Sequence, residues 1–270
     1  MQSRPQDLLN TPDIEVWPAH VLAARGNHAA RQLALASHVL RRKRDGRYLA
    51  AFDGTRIAPL APRLEAEPGL PAALAALRAP SRYRAATLPL HRLEQRLARL
   101  GLDGGYASRT GLPLVPEPAR LRLAGRDRYR RPLWLEAGAA RAWLSMREAA
   151  LRDGIVLEAI SGYRSHDYQL GIFERKLARG QALEHILTVN AAPGYSEHHS
   201  GRALDIGTPG EPPAEESFEA TPAFAWLRAN AAGWGFVMSY PRDNPHGIVY
   251  EPWHWCHAGA GTARLSPANA

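Results

Sequence analysis

Within the ten residues Ser196-Glu-His-His-Ser-Gly-Arg-Ala-Leu-Asp205, a histidine and an aspartate, His198 and Asp205, stand seven positions apart. Residues three or four apart share a helix face, so one helical turn cannot bring these two side chains to a single point. A turn at Ser200-Gly201 running into a short strand can, because glycine reaches the backbone angles that reverse a chain tightly. The segment therefore calls for short strands and tight turns set among helices, an α+β arrangement.

The flanking sequence agrees. Residues 136–153 predict a helix, with Ala140, Trp143, Leu144, Ala150 and Leu151 available to one broad apolar face and Gly154 ending it. Residues 155–160 predict a strand entering Ser161-Gly-Tyr-Arg-Ser165, and residues 166–178 a second helix with Ser165 as its N-cap. An irregular stretch to His199 follows, then a strand over 203–206 and a helix opened by Thr221-Pro222 and closed at Gly233. Short strands over 236–240, 248–250 and 253–255 complete this half, and no internal repeat is present.

The first hundred residues carry weaker signals. Residues 16–44 fit a broken helical periodicity interrupted at Gly26-Asn27, and the basic run Arg41-Arg42-Lys43-Arg44 then reads as a solvated helix end. Asp53-Gly54 predicts the turn of a hairpin over 48–60. An Ala/Leu helix after Pro71 and a helix over 91–100 capped by Gly101 precede a Gly- and Pro-dense linker at 101–118. The expected division is an N-terminal extension of mixed structure, 1–110, and a second domain, 111–264, within a chain of 270 residues.

Charge narrows the partners. The formal charge is +8, yet Lys43 and Lys176 are the only lysines, and arginine supplies the rest in a chain rich in Ala, Pro and Gly. That pattern reads as compositional bias over a solvated surface, with an anionic wall polymer ahead of nucleic acid as the functional alternative, so no nucleic-acid partner is expected. No stretch approaches the roughly 20 apolar residues of a membrane span. The N-terminus shows no apolar leader with a cleavage site, which points to the cytoplasm as the sequence stands and to the periplasm or wall if a leader is missing. The lone Cys256 reads as a small buried hydrophobe.

His198 and Asp205 offer a nitrogen and an oxygen ligand, and Glu251-Pro-Trp-His254 adds a second imidazole with a carboxylate three residues away. Catalytic zinc sites keep three protein ligands and one open position for water, and a neighbouring carboxylate takes that water's proton. His198, Asp205 and His254 are accordingly the metal candidates and Glu251 the base, with Zn²⁺ preferred because two of the three ligands are imidazoles. Arg164 is placed to meet an oxyanion or a carboxylate, and Gln169 can face the same cleft. His199 reads as lying behind the ligands or facing solvent, and His166 and His185 as solvated helix positions.

Three motifs in one order, Ser-Gly-Tyr-Arg-Ser with Gln169, Ser-x-His-x-x-Gly-x-Ala-x-Asp and Glu-Pro-Trp-His, resemble the VanY-like zinc D-alanyl-D-alanine carboxypeptidases over residues 115–260. That resemblance implies a hedgehog/D,D-peptidase-like zinc domain, Arg164 as the group that steadies the transition state or holds substrate, and Ser161, Gln169 and Ser196 as substrate contacts. It also implies loss of a terminal D-alanine from peptidoglycan peptides or muropeptides, across a D,D or an L,D bond. The alternatives are a D,D-dipeptidase or an endopeptidase on the same site, or a binding module that keeps the zinc fold without turnover.

Overall fold

The computed structural model describes residues 6–24, 26–79 and 87–258, so the end of the expected second domain, 259–264, lies outside the described residues. Five strands come first: β1 (Asp7–Asn10), β2 (Ile14–Pro18), β3 (His38–Arg42), β4 (Tyr48–Phe52) and β5 (Ile57–Pro59). Two more, β6 (Arg120–Arg126) and β7 (Pro132–Leu135), complete a seven-stranded sheet in the order β5-β4-β3-β2-β1-β6-β7. Every neighbouring pair is antiparallel, and β1 joins β6 through Leu8 opposite Leu121. Strands from both sides of residue 110 thus share one ladder.

Several expectations for the first half need correction. Residues 16–44 are not one interrupted helix: helix α1 (Asn27–Leu35) buries none of its side chains, and strands β2 and β3 flank it. Pairing of Val16 with Leu40 and Trp17 with Val39 buries Val16, Val39 and Leu40, and burial decides over a weak helical period. The basic run is consequently the end of a strand and the turn after it. Alternate side chains of a strand face opposite ways. Arg41 reaches Glu15, Arg42 reaches Asp45 and Glu67, and Lys43 is 3% exposed.

Helix α2 (Leu70–Arg78) lies on this sheet, its Ala73 and Ala76 packed with Leu9, Ile14, Val16, Leu40 and Leu49. Helices α3 (Leu93–Arg99) and α4 (Tyr106–Thr110) follow. The expected linker is packed: Tyr106 lies edge-on to Tyr195 at 4.9 Å, and Leu112 and Glu117 are buried.

The second half is built on helix α5 (Ala137–Arg152). Glu136 caps it by accepting from the N–H groups of Gly138 (2.7 Å) and Ala139 (3.2 Å), and Gly154, at φ +78°, carries the chain away beyond its end. Ala139, Ala140, Trp143, Met146 and Ala150 form its buried stripe. They pack in one cluster with Leu133, Leu135, Leu204, Ile206, Phe236 and Trp255. Trp143 is fully buried, so its truncation to alanine would cost about 3–5 kcal/mol.

The remaining elements are β8 (Glu158–Ser161), α6 (His166–Leu177), α7 (Leu183–Val189), β9 (Ala203–Gly207), α8 (Pro222–Asn230), β10 (Phe236–Met238) and β11 (His254–His257). Their strands form a four-stranded antiparallel sheet, β10-β11-β9-β8, with β9 buried along its whole length. Helix α7 occupies part of the stretch expected to be irregular. Residues 248–250 form no strand; Val249 donates instead to the Thr188 carbonyl at 2.8 Å. The last helical turn after α8 ends at Gly235, at φ +76°, two residues past the expected Gly233. No helix among the described residues is long and apolar enough to cross a membrane.

Candidate metal centre

Sheet register assembles the site. Asp205 on β9 stands directly opposite His254 on β11 and, across the other edge, opposite Ser161 at the end of β8. Residues opposed in this way project to the same face, so one carboxylate and one imidazole meet by strand pairing alone. The second imidazole arrives by the turn Glu197–Ser200 and Gly201. Gly201 sits at φ +68°, and a Cβ there would lie 2.5 Å from Leu121 Cδ2 and 2.9 Å from the Glu136 nitrogen. Only glycine satisfies both the angle and the approach.

His198, Asp205 and His254 are all buried, and one potential ligand atom from each lies within 4.8 Å of the others. His198 Nδ1 is 2.7 Å from the Gly162 carbonyl, so it carries the proton and leaves Nε2 as a bare lone pair. That Nε2 is buried with no hydrogen-bond partner, 3.2 Å from Asp205 Oδ1. Burial, reinforced by the Arg164 charge, lowers the His198 pKa to about 4, so it is neutral at physiological pH and cannot donate to Asp205. A lone pair facing a carboxylate oxygen in a buried pocket is satisfied by a cation between them. The donor set, two nitrogens and one carboxylate with an oxygen shared between them, fits a tetrahedral zinc with one open position.

His254 is held from both sides. Its Nδ1 lies 3.1 Å from Asp205 Oδ1 and its Nε2 lies 2.9 Å from Glu197 Oε2. Burial disfavours its charged form, but hydrogen bonds donated to Asp205 and Glu197, with the charge of both carboxylates, override that and raise its pKa to about 10. The carboxylates draw a positive charge into the pocket. Glu197 was not among the sequence candidates. The signal that could have found it is a carboxylate directly beside a ligating histidine, since ligating imidazoles commonly give their other N–H to a carboxylate.

Glu251 is buried at 3.8 Å from His254 Nδ1. Burial is the main reason its pKa rises to about 7; Arg164 and His254 oppose the rise, while Asp205 and Glu197 add to it. A carboxyl poised there can both take and return a proton near neutral pH. The Arg164 guanidinium is 3.9 Å from Asp205 Oδ2, and its Nε is buried without a partner. Its backbone is fixed to the metal side: Arg164 N donates to the His198 carbonyl at 3.2 Å, and His199 Nδ1 donates to the Arg164 carbonyl at 2.7 Å.

The other candidates lie differently. Ser161 borders a groove of 140 Å³ shared with Trp17, Arg41, Trp134, Tyr163 and Tyr168. Gln169 is buried, donating to the Ala191 carbonyl at 2.8 Å, with Oε1 unpartnered. Ser196 is buried at the start of the turn, where its carbonyl accepts from the His199 N–H at 3.0 Å. His199 is fully buried, its Nε2 accepting from the Gly194 N–H at 3.1 Å. His166 corrects its expectation: it is 3% exposed, bonded to the Val115 carbonyl at 2.9 Å and edge-on to His199 at 4.4 Å, because the helix start where it lies is covered by the segment before β6. Exposed His185 stays as expected.

Residues 132–260 match the sequence model of the VanY family, D-alanyl-D-alanine carboxypeptidase, a span that contains every ligand candidate. VanXYC of Enterococcus gallinarum, a bifunctional D-Ala-D-Ala dipeptidase and D-Ala-D-Ala carboxypeptidase, is 30% identical over 143 residues, 51% of this chain and 74% of that one. YodJ of Bacillus subtilis is 36% identical over 143 residues, 50% of each chain, so this chain spans half of that relative's length. Among solved structures, the LdcB LD-carboxypeptidase is similar at 34% identity, covering 46% of this chain and 59% of that one, with a TM-score of 0.43. On the match at 132–260 and the coverage of VanXYC, the chain belongs to the VanY family of D-alanyl-D-alanine carboxypeptidases.

Proposed function

We propose that this protein is a zinc-dependent carboxypeptidase that removes the terminal D-alanine from peptidoglycan stem peptides, at a D,D or an L,D bond. One observation carries the assignment: a buried His198–Asp205–His254 cluster with potential ligand atoms within 4.8 Å of one another and an unpartnered His198 Nε2, beside a carboxyl, Glu251, whose pKa stands at about 7. The wall-peptide substrate is supported by the family match and by the activities for which VanXYC is named.

His198 Nε2, His254 Nδ1 and an oxygen of Asp205 would hold the zinc. When bound, the ion supplies Lewis acidity to the scissile carbonyl and to the attacking water. Glu251 takes the water's proton as it attacks and returns it to the leaving amine, so no covalent enzyme intermediate forms. Arg164, with an unpartnered Nε, meets either the oxyanion or the peptide's terminal carboxylate. Ser161, Gln169 and Ser196 are the substrate contacts in this assignment. All these groups come from 111–264, the catalytic domain; the segment 1–110 contributes none of them.

The test is incubation of the purified chain with tri-, tetra- and pentapeptide muropeptides, and with free D-Ala-D-Ala, followed by mass analysis. Loss of one alanine, abolished by a chelator and restored by zinc, is expected. Because VanXYC is bifunctional, the free dipeptide arm also reads the dipeptidase alternative. No mass change in any arm of the zinc-loaded protein would leave a binding module.

A further inference from the structure

Arg164 is held from two directions, and only one of them belongs to the metal centre. On the far side of its loop, Glu117 accepts hydrogen bonds with both carboxylate oxygens. Oε2 receives the Tyr163 hydroxyl (2.5 Å), the Lys43 ammonium (2.5 Å) and the Asn10 amide (3.1 Å); Oε1 receives the His166 backbone N–H (2.9 Å). Asn10 also donates to the Tyr163 hydroxyl at 2.9 Å and to the Pro118 carbonyl at 2.9 Å. Glu117 therefore grips the residue before Arg164 by its side chain and the second residue after it by its backbone.

Asn10, Lys43 and Glu117 are each less than 5% exposed. Burial would raise the Glu117 pKa, but the adjacent Lys43 charge and the hydrogen bonds from Lys43 and Tyr163 override it, so the carboxyl is fully ionised. A buried ion pair adds little stability over a well-packed apolar pair of the same size. What four donors on one carboxylate do supply is a defined position for each donor. Asn10 and Lys43 come from β1 and the turn after β3, Glu117 precedes β6, and all three lie outside the matched span 132–260.

We propose that Asn10, Lys43 and Glu117 are positioning residues for Arg164, making the N-terminal sheet a fixed abutment for the loop that presents this guanidinium. Arg164 is the group on which their effect converges. The inference rests on the proposed role of Arg164, so its test needs one arm without turnover.

In that arm, NMR order parameters of the Arg164 backbone amide and Nε–H are compared in the full-length zinc-loaded wild type and Lys43→Met. A fall below about 0.6 in the variant is expected; unchanged values would overturn the proposal even if the protein cleaved no peptide. In the turnover arm, Lys43→Met should retain stoichiometric zinc and lose about 10- to 100-fold in kcat/KM, the range that a displacement of about 1 Å can cost. Tyr163→Phe, which removes a single hydroxyl, guards against a Lys43 variant that fails to fold and should lose about 3- to 10-fold. Against an Arg164→Ala background both penalties should shrink to within about twofold, because residues acting through one group are not additive. Penalties that multiply undiminished with Arg164→Ala would show a merely structural role and overturn the assignment.

Discussion

Two buried polar clusters flank the loop 161–166, and they differ in how completely their polar groups are paired. Around Glu117, the carboxylate meets an ammonium, an amide, a phenol and a backbone N–H, and the ion pair with Lys43 balances the charge. Around Asp205 the pairing stays incomplete: Asp205, Glu197 and Glu251 meet the Arg164 guanidinium and a charged His254, yet the Nε2 of a neutral His198 and the Nε of Arg164 are buried with no partner. Burying unpaired polar groups is costly, so a cluster left open in this way is built for something that comes from outside. In the proposed reading the closed cluster fixes geometry, and the open one is where a cation would sit. Both operate on one loop, one through its flanks and the other through the carbonyls of Gly162 and Arg164.

The contrast can be broken by altering each cluster in turn. The largest effect is expected at the open one: Glu251→Gln should keep its zinc, measured by metal analysis, and lose about 10³- to 10⁴-fold in kcat. A rate near wild type would remove Glu251 as the base. In the closed cluster, Glu117→Leu strands the Lys43 ammonium among buried atoms and should cost about 3–5 kcal/mol in urea unfolding of the chelated protein. The pair Lys43→Met with Glu117→Leu should recover most of that stability. A single-variant loss below about 1 kcal/mol would show the network to be dispensable.

Smaller effects sharpen the division. Glu197→Gln replaces the carboxylate that holds His254 Nε2 and should weaken zinc affinity about 10- to 100-fold in chelator competition, leaving unfolding of the chelated protein little changed. For pH, the sign follows from a Glu251 pKa raised to about 7 from 4.5. The base form is present above the folded value, so kcat/KM should fall about tenfold per unit below that limb, which bound zinc moves to lower pH. In the chelated protein the folded state holds the proton longer than the unfolded one, so Glu251 loses stability as pH rises from 4.5 to about 7. Glu251→Gln should therefore unfold at higher denaturant than wild type at pH 8 and at a similar concentration near pH 4.5.

Much of the second half was legible in the sequence because its signals are local. Gly201 and Gly154 mark positive φ, Ser165 accepts from the Tyr168 N–H at 3.1 Å as an N-cap, and α5 and α6 lie close to their expected ranges. The first half is less legible. The apolar residues of β2 and β3 mimic a broken helix until their pairing is known, and strands β6 and β7, which follow the expected linker at 101–118, gave no signal of their own. The basic run illustrates the cost: four consecutive cations look like a solvated end, yet one of the chain's two lysines is buried there against a carboxylate 74 positions away.

The same division holds within the site. Residue type and spacing alone determined which groups could ligate a metal: imidazoles at 198 and 254, a carboxylate at 205, and a glycine between the first two able to turn the chain. These are properties of side-chain chemistry and of backbone angles, and they survive without knowledge of the fold. Only the tertiary structure decided that Asp205 faces His254 across a ladder, that Glu197 holds the far nitrogen of His254, and that Glu117 joins Asn10, Lys43 and Tyr163. Those partners lie 46 to 107 positions apart, and strand register, set by burial over whole sheets, chooses among them.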